Sequence, residues 1–162
     1  MTRAVCFSDS HGDAMSLRFA LDGVWAQTGR VDAYIFLGDG LRDFEDLEDV
    51  LRAHDPQCDL YCVRGNCDFM REDAPAAQVI YLGTTPVFIT HGHLYQVKSG
   101  LGYLDDAAHD RGCDVALYGH THSAAMDFGQ TLMVNPGSAA DGRIALLEFS
   151  GSGLPKVKLL RF

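Results

Sequence analysis

No stretch of this 162-residue chain is apolar for long enough to cross a membrane, and the opening "MTRAVCFSDSHGD" has too short an apolar segment for a signal peptide. Basic charge is also scarce: 13 lysines and arginines against 22 acids leave a formal charge of -9. That balance argues against long nucleic acids and anionic lipid surfaces, which attract basic faces. It leaves room for a small anionic substrate, because bound metal ions invert the field locally. A disulfide framework is missing too. The five cysteines (Cys6, Cys58, Cys62, Cys67, Cys113) are odd in number and lack framework spacing, which implies a reduced, cytoplasmic setting. There is no internal repeat, low-complexity segment or linker, so residues 1–162 are expected to form a single domain.

What is abundant is glycine, with 17 residues clustered after apolar runs. In the first half, strand patterns alternate with helical ones. "RAVCFS", "DAYIFLG" and "DLYCVRG" read as strands. Between them, residues 14–28 and 41–54 read as helices, with Leu17, Ala20, Leu21, Val24 and Trp25 on one inward face and Phe44, Leu47 and Leu51 on the other. The acidic run from Asp43 to Asp49 is expected on the wet face of the second helix. This alternation predicts a parallel sheet covered by helices. The second half predicts a hairpin ("QVIYLG", "TPVFITHG"), a helix over 101–112 and five further strands, hence two sheets flanked by helices.

The chemistry is concentrated where the strands end. "AVCF" leads to Ser8-Asp9-Ser10-His11, "YIFL" to Gly38-Asp39-Gly40, and "LYCV" to Arg64-Gly65-Asn66-Cys67-Asp68. "VFI" leads to Thr90-His91-Gly92-His93, "VALY" to Gly119-His120-Thr121-His122, and "LMV" to Asn135-Pro136-Gly137-Ser138. Carboxyl ends of strands in open α/β sheets converge on one crevice. Carboxylates, an amide oxygen and imidazoles gathered there form a metal site, and this mixture suits manganese, iron, nickel, cobalt or zinc. So many donors exceed one ion with an open position; two ions about 3.5–4 Å apart, bridged by a carboxylate, use them economically.

The motifs Asp-x-His, Gly-Asp, Gly-Asn-x-Asp, His-Gly-His and Gly-His-Thr-His, in that order from Ser8 to Ser138, resemble the calcineurin-like metallophosphoesterases. The subgroup resembled is the small, uninserted phosphodiesterases of bacteria and archaea. The resemblance implies an α/β fold, a four-layer α/β/β/α sandwich of two mixed sheets flanked by helices. It implies two divalent transition-metal ions, Mn2+ first, with Ni2+, Fe2+, Co2+ or Zn2+ as alternatives. Asp9, His11 and His122 would hold one ion, Asp39 would bridge, and Asn66, His91 and His120 would hold the other. His93 would face substrate, a role weighed evenly against that of a turn residue, and Asn135 would support the ligands from behind. The implied reaction is hydrolysis of a small phosphodiester by a hydroxide shared between the ions, with no protein nucleophile.

The family often carries a histidine where this chain has Cys67, followed by Asp68, to protonate the leaving group or hold substrate. A thiol brings no positive charge and donates a weak hydrogen bond. Monoesters with poor leaving groups should suffer most from that change, which favours diesters. Near two cations the Cys67 thiol pKa is expected to fall, although a small loop-filling residue is the simpler reading. Zinc or redox pairing of Cys62 with Cys58 or Cys67 has the wrong spacing. Arg64, Arg71 and Lys98 could reach a phosphate but read more simply as solvated surface. Two rivals remain: a non-catalytic scaffold, like the metallophosphoesterase-fold subunit of the retromer coat, and a nuclease, disfavoured by charge. A homodimer is the default oligomer for a domain of this size.

Overall fold

A computed structural model describes residues 1–151 and 153–162. Two five-stranded mixed sheets stack face to face. The first contains β1 (Thr2–Phe7), β2 (Ala33–Phe36), β3 (Asp59–Cys62), β9 (Arg143–Phe149) and β10 (Lys156–Arg161), in the order β10-β9-β1-β2-β3. The second contains β4 (Ala77–Leu82), β5 (Thr85–Thr90), β6 (Val115–Leu117), β7 (Ala125–Phe128) and β8 (Leu132–Asn135), in the order β4-β5-β6-β8-β7. Strands β1, β2 and β3 run parallel, as do β5, β6 and β8, so each sheet points three carboxyl ends the same way.

The layering follows from side-chain alternation along the strands. In β1, Val5 and Phe7 pack beneath α1 (Ala14–Trp25), α2 (Leu41–Asp46) and α3 (Glu48–His54). Ala4 and Cys6 point the other way, into a layer shared with Ile89, Val115, Leu117 and Val134 of the second sheet. A third cluster lies between that sheet and α4 (Gly102–His109), where Phe88, Ala116 and Met133 meet Leu104 and Ala108. The result is the four-layer α/β/β/α sandwich.

Helix α1 buries Leu17, Ala20, Leu21 and Val24 at helical spacing, and Asp13 caps it by accepting from the Ser16 amide at 2.9 Å. Strands β4 and β5 form a hairpin across Gly83-Thr84, with Gly83 at φ 65°.

The structure corrects the bounds of all three expected helices, and the one expected over 101–112 spans only Gly102–His109. The helix expected over 41–54 divides at Leu47 into α2 and α3, and Phe44, Leu47 and Leu51 all face inward across the division. Helix α1 ends at Trp25, three residues early, where the Gln27 amide reaches back only three residues to the Val24 carbonyl. Two short 3-10 turns that periodicity does not signal, His93–Tyr95 and Ala139–Asp141, follow β5 and β8.

Candidate metal centre

The loops after β1, β2, β3, β5, β6 and β8 meet at one edge of the sandwich. Close approach there demands glycine. A side chain at Gly65 would strike the Asp39 carboxylate, and Gly38, at φ 95°, abuts the Gly65 backbone. Backbone strain is concentrated at the same place. Among the described residues, seven non-glycine residues have positive φ, and five of them are Asp9, His11, Asp39, His120 and His122. Left-handed backbone at non-glycine residues costs about 1–3 kcal/mol each and persists only where the surroundings enforce it.

The side chains of these loops form three groups of donor atoms, each lying within 4.8 Å of one another: Asp9 with His11 and His122, Asp39 with His91 and His120, and His11 with Asp39 and Cys67. Asp9 Oδ1 lies 3.2 Å from His122 Nε2 and 3.6 Å from His11 Nε2, and the two imidazole nitrogens face each other at 3.1 Å. Across the mouth, His91 Nε2 lies 3.3 Å from Asp39 Oδ2 and 3.1 Å from Asn66 Oδ1.

Protonation logic shows what such a set can hold. His91 Nδ1 sits 2.7 Å from the Leu37 carbonyl, which can only accept, so Nδ1 carries the hydrogen. In the neutral ring, Nε2 then presents a lone pair to two oxygens. Among the described residues, three buried side-chain polar atoms lack a hydrogen bond: Asp9 Oδ1, Ser8 Oγ and His93 Nδ1. All three lie in these loops. Buried unpaired acceptors are costly, whereas converging lone pairs on oxygen and nitrogen suit a divalent cation. The residues present therefore fit the metal that the donor chemistry implies.

Local fields set the protonation of these groups when no metal is bound. Burial pushes the Asp39 carboxyl up, but its contacts with His91 and the Cys67 amide outweigh that and hold it well below the carboxylate range. Burial pulls His91 down, and Asp39 and Asp9 overcome it, leaving the ring raised. His120 is pushed down to about 4 by burial and then by His91, Lys98 and His93, so its ring is neutral at pH 7. His93 is lowered by burial and His91. The Cys67 thiol is pushed up, by burial and then by Asp39, Asp68 and Asp9. The chain's own charges thus oppose the lowered thiol pKa expected from sequence, which would need bound cations.

Behind the donors stands a layer of supporting bonds. Asn135 is fully buried; its amide donates to the Gly119 carbonyl at 2.9 Å and Thr121 Oγ1 at 3.0 Å, fixing the loop that carries His120 and His122. The His120 amide donates to Asp9 Oδ2 at 3.0 Å, and Ser138 Oγ donates to the Asp9 carbonyl at 2.8 Å.

One residue gains a structural role here, and one sequence expectation is corrected. Asp68, expected beside the reaction as an acid, accepts from the amides of Asp39, Gly40, Leu41 and Gly65 at 2.7–3.0 Å. With both oxygens occupied by backbone donors, it ties the β2 loop to the β3 loop. Asp43, expected on a wet helical face, is buried and accepts from Ser10 Oγ at 2.6 Å and the Gly12 amide at 2.8 Å. Glu45, Asp46, Glu48 and Asp49 are exposed as expected. The available signal for Asp43 was its place three residues after Gly40, in the first turn of a helix beside a ligand loop. Of the remaining cysteines, Cys6, Cys58 and Cys113 are buried and Cys62 is half-buried, all as free thiols.

Residues 2–149 match the calcineurin-like phosphoesterase superfamily domain, and the chain belongs to that family. It is 32% identical over 143 residues to the probable metallophosphoesterase YsnB of Bacillus subtilis, covering 87% of this chain and 77% of that protein. A predicted phosphoesterase from Streptococcus pneumoniae superposes with a TM-score of 0.75 at 30% identity, over 99% of this chain and 89% of that one. An 82-residue stretch, half of this chain and 43% of the other protein, is 37% identical to vacuolar protein sorting-associated protein 29 of Schizosaccharomyces pombe. An archaeal phosphodiesterase shares the fold, with a TM-score of 0.73 at 20% identity. No helix among the described residues is long and apolar enough to cross a membrane.

Proposed function

We propose that this phosphoesterase is a phosphodiesterase that acts on small diesters at a centre of two divalent metal ions. The observation that carries the proposal is the pair of donor groups, Asp9-His11-His122 and Asp39-His91-His120, brought side by side, with Asp39 also grouped with His11. In this reading Asp9, His11 and His122 hold one ion, Asn66, His91 and His120 the other, and Asp39 spans them. Manganese leads, because hard oxygens balance the imidazoles; nickel, iron, cobalt and zinc fit the same set. Bound there, the ions would supply an acidified water and neutralise charge on the phosphoryl oxygens.

The protein's own part is orientation. Leu37 fixes the His91 tautomer, Asn135 fixes the loop of His120 and His122, and the Cys67 amide holds Asp39 Oδ1 at 2.7 Å. The Cys67 side chain is exposed at the mouth and supplies no imidazolium, so the leaving group departs with little help from a protein acid. Diesters with good leaving groups are therefore the favoured class. The carboxylates around the mouth and the net charge of -9 disfavour long nucleic acids.

The test is turnover of bis-p-nitrophenyl phosphate against p-nitrophenyl phosphate, which match in leaving group. The expected result is metal-dependent hydrolysis with the diester preferred. Asp39→Asn and His91→Ala should fall below about one-hundredth of wild type, since the first removes the spanning negative charge and the second a ligand. A strong monoester preference would contradict the diesterase assignment.

A second reading is a non-catalytic binding subunit. The likeness to protein 29 and the thiol at Cys67 favour it. A folded protein that binds metal without hydrolysing either ester would select it.

A further inference from the structure

The mouth of the metal centre opens into a cavity of about 340 Å³ whose lining includes His11, Asp39, Arg42, Asp43, Cys67 and Asp68. Three of these six are carboxylates, yet none forms an ion pair with Arg42, the sole lysine or arginine among the described lining residues. The carboxylates are committed elsewhere. Asp43 accepts from Ser10 and Gly12, Asp68 accepts from four backbone amides, and Asp39 contacts His91 and the Cys67 amide.

Elsewhere most of the chain's guanidinium groups are partnered, with Arg143 the exception among the described residues. Arg3, Arg18, Arg30, Arg52 and Arg71 each reach a carboxylate within 3.3 Å. Arg64 and Arg111 donate to backbone carbonyls. Arg42 makes no hydrogen bond or ion pair among the described residues, although it extends from a well-fixed backbone. Its neighbours Leu41 and Asp43 are buried, the Leu41 amide is held by Asp68, and the Asp43 amide donates to Gly40. A planar guanidinium offers five donors in a fork that matches phosphate oxygens.

We propose that Arg42 is a substrate-binding residue whose guanidinium grips a phosphoryl oxygen of the ester at the Asp39–Cys67 end of the centre. It restores, from another position in the same cavity, the positive charge that Cys67 lacks. The inference rests on the phosphoesterase reading of the site and adds a specificity residue to it. The oxygen held belongs either to the reacting phosphate or to a second phosphate beside it, and product-like ligands separate the two.

Binding of thymidine 5'-phosphate and thymidine 3',5'-bisphosphate to manganese-loaded protein would be measured by calorimetry, with bis-p-nitrophenyl phosphate turnover alongside. Arg42→Gln should weaken binding about tenfold, the lower end for a charge-assisted bond at an exposed site. Arg42→Lys should recover part of that loss, because charge is kept and the fork is lost. Arg30→Gln, which removes an arginine already paired with Asp32, should match wild type. Equal weakening for both nucleotides identifies the reacting phosphate as the partner, and weakening for the bisphosphate alone identifies a second phosphate. Unchanged affinity in a folded Arg42→Gln protein, or no nucleotide binding by wild type, overturns the proposal. Arg42-dependent binding without hydrolysis by wild type leaves Arg42 as an anion-binding residue and instead overturns the diesterase reading.

Discussion

Asp68 shows how hydrogen bonds reveal a structural role for a residue that its motif marks only for chemistry. Its four amide partners include Asp39 and Gly40, whose positive φ values aim the Asp39 carboxylate into the mouth. An asparagine there would turn an amide donor toward backbone donors. Asp68→Asn is therefore expected to destabilise the fold by about 2–3 kcal/mol and to weaken metal binding together with activity. Urea unfolding and a manganese titration check this; a variant with wild-type stability and metal affinity but lost turnover would return Asp68 to a proton-handling role. Cys67, one residue earlier, contributes its amide to Asp39, so substitution of its side chain leaves that contact in place.

At the level of elements, the tip of the β7–β8 hairpin hangs on one carboxylate of α4. Asp105 accepts from the amides of Gln130 and Thr131, each at 2.8 Å, and from Thr131 Oγ1. Burial raises its carboxyl, but these donors outweigh that and hold it below the ordinary range. A depressed folded value means the stabilisation is fully present above the unfolded pKa of about 4 and is lost as pH falls through the lower folded value. Asp105→Asn should cost about 1–2 kcal/mol at pH 7, and the gap to wild type should narrow below about pH 4. Denaturation curves at several pH values decide it; a gap that stays constant down to pH 2 would contradict the account.

The same scale shows what could be read in advance. Strands ending in Asp, His or Asn beside glycine marked the loops, because apolar alternation and turn residues leave local signatures. The division at Leu47 did not show, since α2 and α3 keep Phe44, Leu47 and Leu51 on one inward stripe. Nor did the buried role of Asp43 or the four bonds of Asp68. Those depend on which loops meet in space, and spacing along the chain does not encode that.

For the whole molecule, strain and unpaired polar atoms gather at one edge of a sandwich built on three apolar layers. A ligand that binds only the folded state adds stability in proportion to the logarithm of its concentration over its dissociation constant. Loading the centre should therefore raise the melting temperature as well as create activity. The most direct measurement is bis-p-nitrophenyl phosphate turnover by metal-stripped protein as manganese is added in known equivalents. Two cooperating ions predict activity that is absent without metal and reaches its plateau at about two equivalents per chain. A plateau at one equivalent would contradict the paired centre. No turnover with manganese, nickel, cobalt or zinc in folded protein would contradict the enzyme.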